Sequence, residues 1–277
     1  MVGEKGASRA ASILQDLPLT DEQICRRRFD LAVRESLADR PIGEIIVAMG
    51  TSFLGTPYAA HTLETDGPER LVVNLRELDC VTFVESTLAL SRCVKRRAHR
   101  FEDYTEQLRH IRYRGGAIDG YASRLHYFSE WILDNVRKGV VSDASRELGR
   151  VPYKDETNFM SEHKESYRQL ADETVLKTIK EIEEQLSASE RYFIPKELFE
   201  KHTIAIRQGD IIGITTGVGG LDIAHTGIAV ESNGKVRYLH APLSGGTVQI
   251  TESTLSEYLL KSKGRTGVMV ARPVEPG

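Results

Sequence analysis

The chain predicts an α+β fold, helices first and an antiparallel sheet last. Three observations carry this. Helical apolar spacing dominates up to about residue 208. Strand-like runs separated by turns recur from 210 to 272. An Asn233-Gly234 pair joins two of those runs, the strongest short-range signal for a tight hairpin. Segregation of helices from strands in this order is the α+β pattern, here with a buried central helix packed on an antiparallel β-barrel or sheet.

Each element has a local reason. Residues 1–18 carry no periodicity and are expected to be disordered or loosely ordered; residues 19–277 read as a single domain. Thr20, followed by Glu22 and Gln23, opens a helix carrying Ile24, Phe29, Leu31, Ala32 and Leu37. Pro41 starts a second helix with Ile42, Ile45, Ile46 and Met49, ending near Gly50 or Gly55. Leu71–Leu75 reads as a short strand. Asp79 is a strong N-cap for a helix running from Cys80 to about Arg97, apolar on more than one face and therefore central and buried. Residues from about 98 to 208 form a polar, mostly helical insertion, with an amphipathic charged helix over 170–188. Strands are expected at Asp210–Ile214, Ala224–Glu231, Lys235–His240, Thr247–Thr251 and Gly267–Arg272.

Bulk properties exclude some classes. A net charge of −3 over 277 residues argues against a general nucleic-acid binder. No apolar stretch is long enough for a membrane span. Met1–Ser8 lacks an apolar signal region, so the chain is cytoplasmic or has lost its export signal. The three cysteines, Cys25, Cys80 and Cys93, cannot form a full disulfide framework. Cys80 and Cys93 on one helix would lie roughly 20 Å apart, and Cys25 and Cys93 read as small buried hydrophobes.

Cys80 carries the functional argument. A thiol in the first turn of a helix meets unpaired N–H groups and the positive end of the dipole, which favour the thiolate. A two-residue loop at Asn233-Gly234 pairs Ser232 with Lys235, so Gly227 falls opposite His240. His225 then stands one diagonal step from His240 on the same face, close enough for the imidazoles to touch across Gly227. This suits a Cys–His–His relay: His225 takes the Cys80 proton as an ion-pair partner, His240 orients His225, and the Cys80 backbone N–H serves a developing oxyanion. Taken singly, a Cys at a helix start or a His in a strand is usually structural; together they favour catalysis. Two histidines could bind a metal, but no CxxC or HExxH spacing accompanies them, so no metal site and no cofactor is expected.

With these residues in place, the chain resembles a known group. Asp79-Cys80, Gly209–Ile214, His225-Thr226-Gly227-Ile228 and His240 are similar to the NlpC/P60 superfamily of cysteine peptidases. Gly55-Thr56-Pro57-Tyr58, Thr62-Leu63-Glu64, Asp79–Glu85, Tyr113-Arg114-Gly115-Gly116 and Ser123–Trp131 match more closely its N-acetylmuramoyl-L-alanine amidase-like branch, over residues 40–272. The resemblance implies a papain-like fold, Cys80 as nucleophile, His225 as base, His240 as orienting residue, and Tyr58 beside the thiol. It implies amide hydrolysis in peptidoglycan fragments, by a monomer in the periplasm or cell envelope. Val81-Thr82 replaces the usual Ser-Gly and the insertion is long, which favours cleavage between the muramic lactyl group and L-Ala over the γ-D-glutamyl endopeptidase bond. Arg114 and Arg124 are candidates to clamp a carboxylate, and Tyr58, His126 and Tyr127 to wall the substrate; Phe128 and Trp131 read as core. For Arg124 and Tyr127 a structural role is an equal alternative. Outside the family's own chemistries stand an acyltransferase and a non-catalytic cell-wall binding module.

Overall fold

Helix starts in this protein follow their capping residues, as seen in a computed structural model that describes residues 18–149 and 151–277. Thr20 caps α1 (Asp21–Arg34) through a reciprocal pair of bonds with Gln23, 2.9 and 3.2 Å. Pro41 precedes α2 (Ile42–Thr51). Asp79 caps α3 (Cys80–Lys95): its carboxylate accepts from Thr82 N at 2.7 Å, and the Thr82 hydroxyl accepts from Asp79 N at 2.9 Å. Such a cap contributes about 1 kcal/mol. Then follow α4 (Phe101–Arg112), α5 (Phe128–Arg137), β1 (Val141–Asp143), α6 (Ala144–Leu148), β2 (Val151–Pro152), α7 (Phe159–Glu162), α8 (Glu173–Ala188), β3 (Tyr192–Pro195) and α9 (Lys196–His202). The chain continues through β4 (Ile211–Thr216), β5 (Ile223–Ser232), β6 (Lys235–His240), β7 (Gln249–Ile250), α10 (Leu255–Leu260) and β8 (Arg265–Pro273). The residues expected to be loosely ordered, 1–17, lie outside the described residues.

The strands form one eight-stranded antiparallel sheet in the order β2-β3-β8-β4-β5-β6-β7, with β1 also pairing on β8. Strand alternation gives the sheet two apolar faces. Ile211, Ile228, Leu239 and Ala271 pack into a core shared with α2 and α3, while Ile212, Ala229, Tyr238 and Val270 pack with Phe199 of α9 and Leu255 and Leu259 of α10. Gly50 lets α2 press close to the sheet: a Cβ there would come within 2.9 Å of Leu239 Cδ2. Helix α3 is buried from Thr82 to Val94, which agrees with its all-round apolar sequence. Beneath it, buried Glu85 pairs with buried Arg112 at 2.7 Å, and Arg112 also donates to the Val72 carbonyl at 2.6 Å.

Two expectations are corrected. Leu71–Leu75 is not a strand: its backbone is satisfied by side chains, with Leu75 N donating to Asp21 at 2.8 Å and Val72 O taken by Arg112. The insertion is not only helical. It supplies β1, β2 and β3, and both β1 and β3 find their partner in β8, far along the chain. Strands of two to four residues leave too short a pattern for alternation to reveal.

Candidate active site

The hairpin closes as its residues dictate. Asn233 and Gly234 have φ of 53° and 69°, the two positive values a type I′ turn requires, and Ser232 pairs with Lys235. His225 Nε2 and His240 Nδ1 then stand 2.7 Å apart. The space above Gly227 is occupied differently from the expectation: the Tyr238 ring fills it. A Cβ on Gly227 would lie 2.7 Å from Tyr238 Cε2 and from Leu239 O. Tyr238 touches both imidazoles, its centroid 5.8 Å from His225 and 4.8 Å from His240, and its hydroxyl donates to Ile212 O at 3.1 Å.

Two features bring β5 to the start of α3. The Thr226 hydroxyl donates to the Cys80 carbonyl at 2.8 Å. A register shift against β4 follows: Ile214 pairs with His225, but Thr215 pairs with Ile223, so Ala224 is the extra residue of a bulge. Bulges re-aim the side chains beside them. Here Ile223 turns into the core, Ala224 is exposed, and His225 is half-buried. Cys80, His225 and Thr226 line one cavity of about 160 Å³.

Burial dominates the electrostatics of the site. Burial, with the Asp79 carboxylate, pushes the Cys80 thiol up to about 11, despite N–H and hydroxyl groups of Thr226 acting in the other direction. Burial, then Arg265, lowers His225 to about 4; burial, then His225 and Arg265, lowers His240 to about 3. Both shifts favour the uncharged forms, thiol at Cys80 and imidazole at His225. Cys25 and Cys93 are buried free thiols, pushed higher still by burial.

The expected substrate residues divide. His126 and Tyr127 line the Cys80 cavity. His126 Nε2 pairs with the Tyr121 carbonyl at 2.9 Å, and burial plus Arg124 hold it neutral, down to about 3. Tyr127 is also structural: its hydroxyl donates to buried Glu183 at 2.7 Å and accepts from Met160 N at 2.8 Å. Tyr58 lies near the thiol, its hydroxyl held up by burial and then by Cys80 and Asp79. Both arginines have internal partners. Arg114 bonds Glu130 at 2.8 Å and the Ala122 carbonyl at 2.7 Å. Arg124, 4 % exposed, bonds Leu63 O at 2.9 Å and Glu64 at 2.5 Å beneath the Tyr121 ring. Phe128 and Trp131 stack at 4.8 Å as buried residues.

The sequence reading missed the insertion's share of this cavity, Phe159, Met160 and Tyr167, and it missed Asp222. Asp222 accepts from Ser129 N and Ile223 N, both at 2.7 Å, capping α5 from another element. Its place three residues before His225 was the available signal. Nothing in the sequence ties Tyr167 to Cys80. Among the described residues no group of three or more His, Cys, Asp or Glu is arranged to hold a metal, and no helix is long and apolar enough to cross a membrane.

An N-acetylmuramoyl-L-alanine amidase from Bacteroides uniformis is 40% identical, with a TM-score of 0.79, over 84% of this chain and 98% of its own. A Bacteroides fragilis protein that carries the label of a candidate xylanase is 38% identical, with a TM-score of 0.77, over 81% of this chain and 99% of its own. A Legionella pneumophila protein, 20% identical with a TM-score of 0.68, covers 91% of this chain and 94% of its own and shares the fold. No curated protein matches the chain. Residues 48–268 match the AmiA-like family, and the chain thus belongs to the N-acetylmuramoyl-L-alanine amidase-like proteins.

Proposed function

We propose that the protein is a cysteine amidase that hydrolyses the amide between N-acetylmuramic acid and L-Ala in peptidoglycan fragments. The observation that carries this reading is a thiol at a capped helix start sharing one cavity with an imidazole that a second imidazole holds at 2.7 Å, in a chain of the amidase-like family. The fold is read as papain-like and related to the NlpC/P60 superfamily, the protein as a monomer, and its place as the cell envelope, where such substrates occur.

The mechanism follows from the neutral pair. As Cys80 Sγ attacks the lactyl carbonyl, its proton passes to His225 Nδ1, while His225 Nε2–H donates to His240. A C–S bond forms and the oxyanion takes the Cys80 N–H at the start of α3. His225 returns the proton to the L-Ala nitrogen, the C–N bond breaks, and the stem peptide leaves as an amine. Water, deprotonated by His225, then attacks the thioester; the muramic carboxyl group and the thiol are released.

Two other readings are weaker. A glycosidase needs a pair of carboxyl groups flanking the scissile bond, and among the described residues Asp222 is the single carboxylate lining the cavity, already engaged by two backbone N–H groups. A γ-D-glutamyl endopeptidase would use the same thiol on another bond. Mass spectrometry of one defined muropeptide separates these outcomes. We expect intact stem peptide and a free muramic carboxyl group with wild type and neither with Cys80→Ala; an L-Ala-D-Glu-capped sugar would establish the endopeptidase instead. Unchanged activity in Cys80→Ala would remove the cysteine mechanism altogether.

A further inference from the structure

The relay leaves one donor without a partner. For His225 Nδ1 to accept the Cys80 proton, its Nε2 must carry hydrogen and donate to His240 Nδ1. His240 Nε2 then carries hydrogen as well. That nitrogen is buried with no hydrogen-bond partner among the described residues, and His240 is 1 % exposed. A buried donor of this kind is costly to leave unmade.

The ring lines a second cavity of about 390 Å³, which shares no lining residue with the cavity of Cys80. Gln249, Tyr258, Lys261 and Arg265 stand in its wall, with one exposed carboxylate, Glu252. Arg265 lies over the Tyr258 ring, 3.9 Å from its centroid, and donates through Nη1 to the Tyr258 carbonyl. Its Nε and Nη2 have no hydrogen-bond partner among the described residues, and Lys261 makes no ion pair there. Two cations and the residue carrying the unpaired N–H therefore line the same cavity.

We propose that this cavity binds an oxyanion, a carboxylate or phosphate group, which accepts from His240 Nε2–H, is held by Lys261 and Arg265, and completes the relay. The inference rests on the cysteine-amidase reading for its consequence and for the His240 tautomer, while the cavity and its two cations stand without it. A Cys–His–His relay has no acid of its own. The bound anion would stand where a carboxylate stands in a Ser–His–Asp triad, fixing the tautomer and stabilising the imidazolium formed during turnover. It would also offset Arg265, whose charge acts against protonation of both histidines. The anion has two sources: a carboxylate of the stem peptide, or free phosphate. His240 is a positioning residue in this scheme.

The test uses full-length wild-type protein with ¹⁵N-labelled histidine, the His240 ring signals assigned through His240→Gln. Titration with inorganic phosphate should move the His240 Nε2 resonance saturably. Lys261→Glu, at an exposed position, should weaken that binding at least about tenfold. Kinetics on muropeptides with free or amidated stem carboxylates then identifies the source. If the stem carboxylate supplies the anion, amidation lowers kcat about tenfold in wild type and little in Lys261→Glu. If phosphate supplies it, added phosphate raises kcat on both substrates. No saturable change at His240, together with equal kcat on both substrates with and without phosphate, overturns the proposal. Phosphate binding at His240 by a protein that releases no stem peptide would overturn the amidase reading alone.

Discussion

The β5–β6 hairpin and the insertion both reach the Cys80 cavity, and they are built by different means. The hairpin places His225 and His240 by local rules: a two-residue turn, a fixed register and side-chain alternation. The insertion places Phe159, Met160 and Tyr167 by contacts remote in sequence, chiefly Tyr127 to Glu183 and Met160 N to Tyr127. The imidazole pair sits on the sheet, and the insertion's share of the cavity is positioned by a buried polar network. A substitution in the first should therefore change kcat, and one in the second should change KM.

The sharpest break of this contrast is His225→Ala, expected to lower kcat by about 10³-fold while the urea midpoint stays within error; a loss confined to KM would contradict a base at this position. Gly227→Ala comes next. Its Cβ would meet the Leu239 carbonyl and the Tyr238 ring at 2.7 Å, neither able to retreat far, so unfolding free energy should fall by about 1–3 kcal/mol and kcat should fall with it. Tyr127→Phe removes a hydroxyl that serves both Glu183 and Met160 N. It should cost about 1–3 kcal/mol in denaturant titration and raise KM more than it lowers kcat.

The smallest effect is a pH dependence. His126, His225 and His240 are held neutral by burial, down to about 3, about 4 and about 3. Unfolded histidine titrates near about 6.5, so between that value and about 4 the unfolded chain binds more protons than the folded one. Stability should therefore fall as pH drops through this window. The buried carboxyls of Glu85 and Asp222, raised by burial, act in the opposite sense. Comparing wild type with His126→Gln isolates the histidine contribution: the variant should lose less stability between pH about 6.5 and about 4, and identical slopes would remove His126 from the account.

The same contrast explains what could be read from the residues alone. Asp79, Thr20 and Asn233-Gly234 act within a few positions of themselves, so the starts of α1 and α3 and the hairpin register were legible, and with them the place of Cys80 at a helix start and the contact of His225 with His240. Two kinds of feature were not. Arg114 and Arg124 look like free cations in a sequence, whereas their partners Glu130, Glu64 and the carbonyls of Ala122 and Leu63 are set by tertiary packing. The pKa of Cys80 depends on how much water the fold removes, which no capping pattern states, and burial raises it.

Strand β8 pairs with β1, β3 and β4, all of which precede it in the chain. During synthesis its three neighbours emerge first and must wait with open edges until Arg265–Pro273 leaves the ribosome. The enzyme thus stays unfinished, and its hydrolytic centre unassembled, until translation has passed that segment. A nascent chain stalled before Arg265 would expose sheet edges that invite aggregation or chaperone capture.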